Sequence, residues 1–347
     1  MENSSSASRG AAVSWEESLI SKIRLYGCAA LLLIAASLPV PAFSAGTGLV
    51  FVSNEKTHNI AVLDPKDYSI VKWIETSRRP RDMRFNKDNT LLYVACGDDD
   101  VIDVIDVASL EVVDHIPTGP SPEVFYFSPD DSLIYVSNEE NSSLQIIHVA
   151  DKVIVGEIST GAEPEGVVVS EDGKTVYVTS EVSDMVHVID AESQTLTDNI
   201  IVGTRPRRFV LTPDGKELWV SDELSGEVSI IDRATNEVTH TLQFLPPGFR
   251  QVDVTPVGME ISKDGSTVYV TLGRANHIAS VDVASKEIKQ YVLVGSRAWG
   301  IALSPDEKIM YVTNGLSDDV SIVDVESMKV LQSVQVGRVP HTVRIDD

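Results

Sequence analysis

Most residues that could do chemistry in this sequence stand beside the prolines of short, repeated X-Pro-X segments. Three such segments are Arg79-Pro80-Arg81, Ser121-Pro122-Glu123 and Arg205-Pro206-Arg207. The candidate residues at this repeated place are Arg79, Arg81, Glu123, Glu165, Arg205, Arg207, Arg297, Trp299 and His341. Arginine binds carboxylate or phosphate groups through paired hydrogen bonds, and Trp299 offers an aromatic face. This set therefore predicts a binding site for a small anionic ligand.

The same residues also fit a purely structural role. The segments that carry glutamate are flanked along the chain by segments that carry arginine, so neighbouring segments could neutralise one another. Ion pairs at an exposed rim contribute only about 0–1 kcal/mol each to stability. The sequence leaves a ligand site and a ring of interlocking ion pairs equally open.

A repeat of four β-strands must position these residues. A strand resembling Tyr-Val-Thr-Asn occurs seven times, with spacings of 42, 42, 42, 42, 50 and 42 residues, beginning at Phe51, Tyr93, Tyr135, Tyr177, Trp219, Tyr269 and Tyr311. A tight turn such as Asp172-Gly173 precedes several copies, which is typical of a β-hairpin. No segment has a helical period. The pattern predicts an all-β, seven-bladed β-propeller of four-stranded antiparallel blades.

The two ends of the chain predict how the ring closes. The first strand, Gly48–Asn54, has the pattern of the second strand of a repeat, whereas His341–Ile345 has the pattern of a first strand. Pairing of the C-terminal strand with the N-terminal strands would complete one blade and leave no exposed edge. In this fold the X-Pro-X segments surround one end of the central channel. We call this end, with its nine candidate residues, the channel mouth.

The repeat motif resembles a known family. Tyr311-Val-Thr-Asn314 and turns of the Ser-Pro-Asp-Gly type are similar to the YVTN-repeat β-propellers. Within that family the chain most resembles the periplasmic proteins found beside alcohol catabolism that depends on pyrroloquinoline quinone (PQQ). The resemblance implies an exported accessory protein without a demonstrated reaction.

The N-terminal segment, residues 1–45, is predicted to be a signal peptide, and residues 46–347 a single propeller domain. Lys22 and Arg24 precede the apolar run Cys28–Val40, and small residues follow it near Ala45. Thirteen apolar residues are too few to span a bilayer, but they fit the core of a secretory signal. We therefore expect a periplasmic protein without a membrane span in its mature part.

Charge and cysteine content restrict the partners. The formal net charge is −24, which argues against nucleic acid because binding of phosphates needs a basic surface. Without the leader the only cysteine is Cys96, so no internal disulfide can form. Cys96 ends a repeated strand, and we expect it to be a small buried residue rather than a reactive thiol.

The repeat is interrupted once, by eight extra residues near Phe244–Thr255. This Pro-Pro-Gly segment is expected on the face that carries the channel mouth, either folded over the mouth, or contacting a partner, or as a neutral extension.

Function is predicted as binding rather than catalysis. The chain has no Gly-x-Ser-x-Gly motif, no Cys-x-x-Cys-His haem motif and no Gly-rich phosphate loop. We predict a monomeric, non-enzymatic scaffold in PQQ-dependent oxidation, without a cofactor or metal, whose partner is a periplasmic protein such as a redox protein, or a small anionic ligand. No catalytic residue is assigned. The alternative is a lactonase-like hydrolase that uses polar channel residues such as Glu165 or His341.

Overall fold

Seven four-stranded antiparallel sheets make up the described part of the chain, as predicted. The structure is a computed structural model and describes residues 46–347. The predicted signal peptide therefore lies outside the described residues. In these residues no helix is long and apolar enough to cross a membrane.

The strands follow one another from the channel outward and then return to the channel in the next sheet. In chain order they are β1 (Val50–Asn54), β2 (Asn59–Leu63), β3 (Ile70–Glu75), β4 (Pro80–Phe85), β5 (Leu91–Cys96), β6 (Val101–Asp106), β7 (Glu111–Pro117), β8 (Pro122–Phe127), β9 (Leu133–Asn138), β10 (Ser143–His148), β11 (Val153–Ser159), β12 (Pro164–Val169), β13 (Thr175–Ser180), β14 (Met185–Asp190), β15 (Thr195–Ile201), β16 (Pro206–Leu211), β17 (Glu217–Asp222), β18 (Glu227–Asp232), β19 (Glu237–Gln243), β20 (Met259–Ile261), β21 (Thr267–Thr271), β22 (His277–Asp282), β23 (Ile288–Leu293), β24 (Ala298–Leu303), β25 (Ile309–Asn314), β26 (Asp319–Asp324), β27 (Lys329–Gln335) and β28 (Pro340–Ile345).

The predicted closure of the ring is confirmed. The C-terminal strand β28 pairs with β1 in a sheet of order β28-β1-β2-β3, with Val52 opposite Val343. The other six blades are each built from four consecutive strands, β4–β7, β8–β11, β12–β15, β16–β19, β20–β23 and β24–β27. Because both chain ends contribute to one blade, unfolding of that blade opens the ring.

The Asp-Gly turns are built by their own side chains. In the turn before β13, Asp172 accepts the hydroxyl of Ser170 at 2.7 Å and the amide of Lys174 at 3.2 Å. Gly173 has a φ of +71°, which glycine adopts without a steric penalty. The turn joins the end of the inner strand β12 to β13, so it lies on the face opposite the channel mouth. We call this opposite side the turn face.

In six of the seven blades, the third residue of the Tyr-Val-Thr-Asn strand ties the blade to the next. In β13, Thr179 accepts the amide of Gly166 at 2.7 Å in its own blade and donates to the carbonyl of Arg207 in the following blade at 3.2 Å. The same pair of bonds is made by Ser53, Ser137, Ser221, Thr271 and Thr313. Ala95 stands at this place in the blade β4–β7 and makes neither bond. The motif therefore fixes the backbone of the residues at the channel mouth.

Apolar residues fill the spaces between blades. Phe51 of β1 packs edge-on against Phe85 of β4, with ring centroids 5.6 Å apart, and Trp219 of β17 is fully buried against β21. Cys96 is also fully buried, as predicted, and burial raises the pKa of its thiol well above the ordinary value.

The extra segment packs on the neighbouring blade. Phe249 contacts His277 edge-on at 5.3 Å, and the amide of Leu245 donates to the hydroxyl of Tyr291 at 3.1 Å. The segment ends in a 3₁₀ turn over Gln251–Asp253. These contacts fix it on the blade β20–β23.

Candidate functional site

The residues directly before the inner strands have an unusual backbone. Arg79, Arg205 and Arg297 have φ angles of +61°, +61° and +64°. Positive φ is uncommon for side chains other than glycine, but Ser121, Glu163 and Val339 share it at the same place, so it belongs to the repeat. Each of these residues begins the approach to an inner strand at the channel mouth.

A side chain of the preceding blade holds each strained residue in place. The amide of Arg79 donates to Nδ1 of His58 at 3.0 Å, that of Arg205 donates to Asp184 at 2.9 Å, and that of Arg297 donates to Asn276 at 2.8 Å. Asp100 and Asp318 hold Ser121 and Val339 in the same way. These polar turns therefore position the mouth residues.

One part of the channel mouth is built from Arg79, Arg81, Glu123 and Glu165. Arg79 donates to Glu123 at 2.8 Å, and Arg81 also pairs with Glu123. Arg81 lies 3.7 Å from Glu165, which links this part to the next blades. Glu123 is fully buried, and Arg81 and Glu165 are nearly so.

The second part is built from Arg205, Arg207 and Arg297 around two glutamates. Glu181 accepts from Arg205 at 2.7 Å and also from Arg207. Glu223 accepts from Arg297 at 2.9 Å and lies 3.4 Å from Arg205. The side chain of Arg207 is 4% exposed, whereas that of Arg205 is 41% exposed. Solvent therefore reaches this cluster past Arg205.

Trp299 and His341 complete the layer below these ion pairs. The guanidinium groups of Arg297 and Arg207 lie 4.7 and 5.2 Å from the Trp299 ring. Nε2 of His341 faces Arg81 at 3.3 Å, and Nδ1 lies 3.0 Å from the hydroxyl of Thr342. Burial and the charge of Arg81 hold the pKa of His341 well below its ordinary value. Since arginine only donates, Nε2 accepts and the proton lies on Nδ1.

All nine predicted residues thus lie at the channel mouth, but the environment differs from the exposed rim that the sequence suggested. The ion pairs are mostly buried because seven inner strands approach one another closely. At Gly166, for example, a Cβ atom would come within 2.2 Å of the carbonyl oxygen of Arg207. Removing one member of a buried pair leaves an uncompensated charge, which costs far more than losing a surface pair.

Glu181 and Glu223 are the mouth residues that the sequence-based set lacked. Both follow the ends of their second strands, within turns rich in acidic residues, which are ordinarily exposed. Their side chains are instead buried and paired with arginine. The sequence signal that could have found them is their position directly after the Tyr-Val-Thr-Asn strand, which ends at the channel mouth.

Burial gives the carboxyl groups unequal proton affinities. Burial raises the pKa of Glu181 to about 7, with the charges of Glu165 and Glu223 adding to this effect and those of Arg207 and Arg205 opposing it. The pKa of Glu123 is also raised, chiefly by burial. At Glu165 burial acts in the same direction, but the charges of Arg207, Arg208 and Arg81 outweigh it and lower the pKa. Carboxyl groups whose environments separate their pKa values in this way suit acid and base roles.

The arrangement can move a proton and stabilise negative charge. A carboxylate that titrates near neutral pH can act as a general base, and adjacent guanidinium groups can stabilise a developing oxyanion. In residues 46–347 no group of three or more His, Cys, Asp or Glu side chains is placed to hold a metal ion.

Comparison with solved structures shows a widespread fold. A periplasmic gluconolactonase of Pseudomonas aeruginosa has 22% identity and a TM-score of 0.74 over 86% of this chain and 99% of its own. A putative 6-phosphogluconolactonase of Bacteroides uniformis has 15% identity and a TM-score of 0.72 over 86% and 99%. The hydrazine synthase of Kuenenia stuttgartiensis has 22% identity and a TM-score of 0.72 over 80% and 92%. At these identities the likeness shows the fold alone.

A family model gives a more specific match. No curated protein matches the chain. The model described as "Lactonase, 7-bladed beta-propeller" matches residues 154–243 and 199–346, together more than half of the chain. The narrower YVTN-repeat and PQQ-associated assignment stays a prediction. The chain therefore belongs to the family of seven-bladed β-propeller lactonases.

Proposed function

We propose that this protein is a hydrolase that opens the ring of a lactone at the channel mouth. The observation that carries the proposal is the position of Glu181, whose carboxyl group has a pKa of about 7 and is held by Arg205 and Arg207 where solvent enters. Hydrolysis of an ester at neutral pH needs a base for water and positive donors for the oxyanion. This cluster supplies both.

The reaction would proceed in two steps. Glu181 takes a proton from water while the water oxygen attacks the lactone carbonyl, and N–H groups of Arg205 and Arg297 stabilise the tetrahedral oxyanion. The bond between the carbonyl carbon and the ring oxygen then breaks, and Glu181 returns the proton to the leaving alkoxide. The product is the open hydroxy acid. Both oxygens of Glu181 keep a free lone pair beside their arginine bonds, so the carboxylate can still accept a proton.

The substrate class follows from the charge balance of the site. Glu181 and Glu223 neutralise much of the charge of Arg205, Arg207 and Arg297. An uncharged ligand therefore fits better than the anionic ligand expected from the arginines alone. The names gluconolactonase and 6-phosphogluconolactonase, carried by two of the similar structures, direct us to lactones of sugar acids. We propose an uncharged aldonolactone.

The family match favours a hydrolase over the non-enzymatic scaffold predicted from resemblance. Export, the periplasmic location, the role in PQQ-dependent oxidation and a redox partner remain predictions, since all depend on the leader or on the narrower resemblance.

Turnover by purified protein tests the proposal. Glucono-1,5-lactone and galactono-1,4-lactone are supplied in turn, and acid release above the spontaneous rate is followed in a pH-stat. We expect turnover that Glu181→Gln lowers by about 100-fold or more, the usual contribution of a general base. Glu139→Gln, which removes a partly exposed glutamate near Arg79, is the matched control and should change the rate by less than about threefold. Absence of turnover with both lactones, or equal loss in both variants, contradicts the proposal.

A further inference from the structure

A cavity lies in the central channel, toward the turn face. Its volume is about 470 Å³, and its wall toward the mouth includes Trp299 and His341. The adjoining layer contains Arg81, Glu165 and Arg207, all nearly fully buried. This layer separates the cavity from the proposed hydrolytic site, so the cavity needs a ligand of its own if it has a function.

Two arginines of neighbouring inner strands face this cavity. Arg84 of β4 lies over the ring of Tyr126, with its guanidinium carbon 4.0 Å from the ring centroid. Its Nε lies 3.3 Å from Asp82, and Arg344 of β28 donates to the same carboxylate at 3.2 Å. Arg84, Tyr126 and Arg344 line both this cavity and the adjoining depression on the turn face. The cavity is therefore reached from that face.

The arginines keep unused donors. Arg84 donates through Nε to the carbonyl of Phe125, and neither of its terminal nitrogens has a hydrogen-bond partner within residues 46–347. Arg344 makes one bond from each of its three nitrogens, which leaves two of its five N–H groups free. One carboxylate, that of Asp82, is shared by two guanidinium groups. These three groups together thus carry one net positive charge beside the open space.

Other charged groups also line the cavity: Lys263 lies 3.8 Å from Asp347 near the turn face, Glu307 accepts the amide of Lys263, and Arg208 pairs with Glu165 toward the mouth. Glu260 is the acidic group that stands at the same inner-strand place as Arg84 and Arg344. Glu260 of β20 lines the same cavity and makes no ion pair within 4 Å among the described residues. Burial raises its pKa to about 7, against the charges of Arg344 and Arg84. Glu260 is therefore mostly protonated near pH 6, where it can donate a hydrogen bond.

Another part of the wall is apolar. Val168, Val210 and Ala302 occupy the places on their inner strands that Arg84 and Arg344 occupy on theirs. A cavity of this volume holds a whole small organic molecule, and a bare inorganic anion would leave most of it empty. Charge at one side and apolar surface at the other fit a small organic acid.

We propose that this cavity binds a small organic carboxylate, whose charged group is held by Arg84 and Arg344 and whose apolar body lies against Val168, Val210 and Ala302. The site is separate from the proposed lactone site and opens on the opposite face. The free guanidinium donors form paired bonds with the carboxylate, and Tyr126 keeps Arg84 in the orientation that this requires.

Titration calorimetry at pH 6 with benzoate as the probe tests the proposal. We expect saturable binding of one benzoate per chain, with benzamide, its neutral counterpart, binding about tenfold or more weakly because it lacks the charge. Arg84→Gln should weaken benzoate binding by a similar factor. Arg78→Gln is the matched control, since it removes an exposed arginine on the other face, and it should leave binding within about twofold.

Several results would overturn the proposal. One is absence of saturation by about 10 mM benzoate, which places any affinity below the useful range. Others are equal binding of benzamide and benzoate, or equal affinities in the two arginine variants. Inorganic phosphate that binds as tightly as benzoate would also refute it, because the apolar wall would then contribute nothing. Circular dichroism of Arg84→Gln shows whether the variant is folded, and Arg84→Lys, which keeps the charge, should retain part of the affinity.

Discussion

Replacing Arg207 with methionine should destabilise the propeller far more than the same change at Arg205, only two residues away. Arg207 is 4% exposed and pairs with Glu181, with Glu165 at 3.3 Å and with Glu223 at 3.8 Å. Arg205 contacts two of the same glutamates, but 41% of its side chain is exposed. The pair is thus a matched comparison of a buried and an exposed arginine in one cluster.

The expected magnitudes follow from burial. Methionine at 207 keeps most of the packing volume but leaves three buried carboxylates without their shared cation, and breaking a buried pair typically costs about 3–5 kcal/mol. Methionine at 205 removes a pair that water can replace, and the expected cost is about 0–1 kcal/mol.

Equilibrium unfolding in urea, followed by tryptophan fluorescence, measures both variants against the parent protein. A double variant, Arg207→Met with Glu181→Gln, should recover part of the stability lost in Arg207→Met, since it removes one of the carboxylates left without a cation. Equal destabilisation in the two single variants, or a loss below about 1 kcal/mol in Arg207→Met, would refute the conclusion that these ion pairs are buried and interdependent.

Three further predictions concern other parts of the fold. Thr179→Val removes the hydroxyl that bridges Gly166 and Arg207, and the two unpaired backbone groups should cost about 1–3 kcal/mol in urea unfolding; an unchanged midpoint would contradict the role assigned to the repeat motif. Burial raises the pKa of Glu260 from 4.5 to about 7, so the folded state holds this proton while the unfolded state loses it, and stability should fall as pH rises through this window. The stability of Glu260→Gln should not fall in this way, so between pH 4.5 and 7 its free energy of unfolding should gain up to about 3 kcal/mol relative to that of the parent. Curves of stability against pH that run parallel in the two proteins would exclude the pKa shift. Cys96 should resist thiol reagents in the folded protein and react once urea unfolds it, and rapid native labelling at this site would show that it is accessible.

The fold was predictable from the sequence because its signals are local. Each Asp-Gly turn is closed by its own side chains, as Ser170 and Asp172 show, and the alternation of each strand is read directly from neighbouring residues. The spacing of 42 residues then makes every copy predict the others. Closure by β28 was also predictable, because a ring built from incomplete end repeats must pair them.

The environment of the site was less predictable because it depends on contacts between blades. The charge of Glu123 says nothing about its burial, which results from the close approach of neighbouring inner strands. Glu181 and Glu223 belong to loops that look solvated until Arg205, Arg207 and Arg297 are brought against them. The bond from Arg205 to Asp184 spans 21 residues and two blades, and no local pattern reveals it.

The central claim, that Glu181 is the base of a lactone-opening site, is tested most directly by the pH dependence of kcat/KM on an aldonolactone. After correction for spontaneous hydrolysis, the account predicts that kcat/KM of the parent protein rises through pH about 7, as Glu181 loses its proton, and then levels off. In Glu181→Gln the residual rate should lack this rise. A parent profile that is flat across this range, or an identical profile in Glu181→Gln, would contradict the assignment.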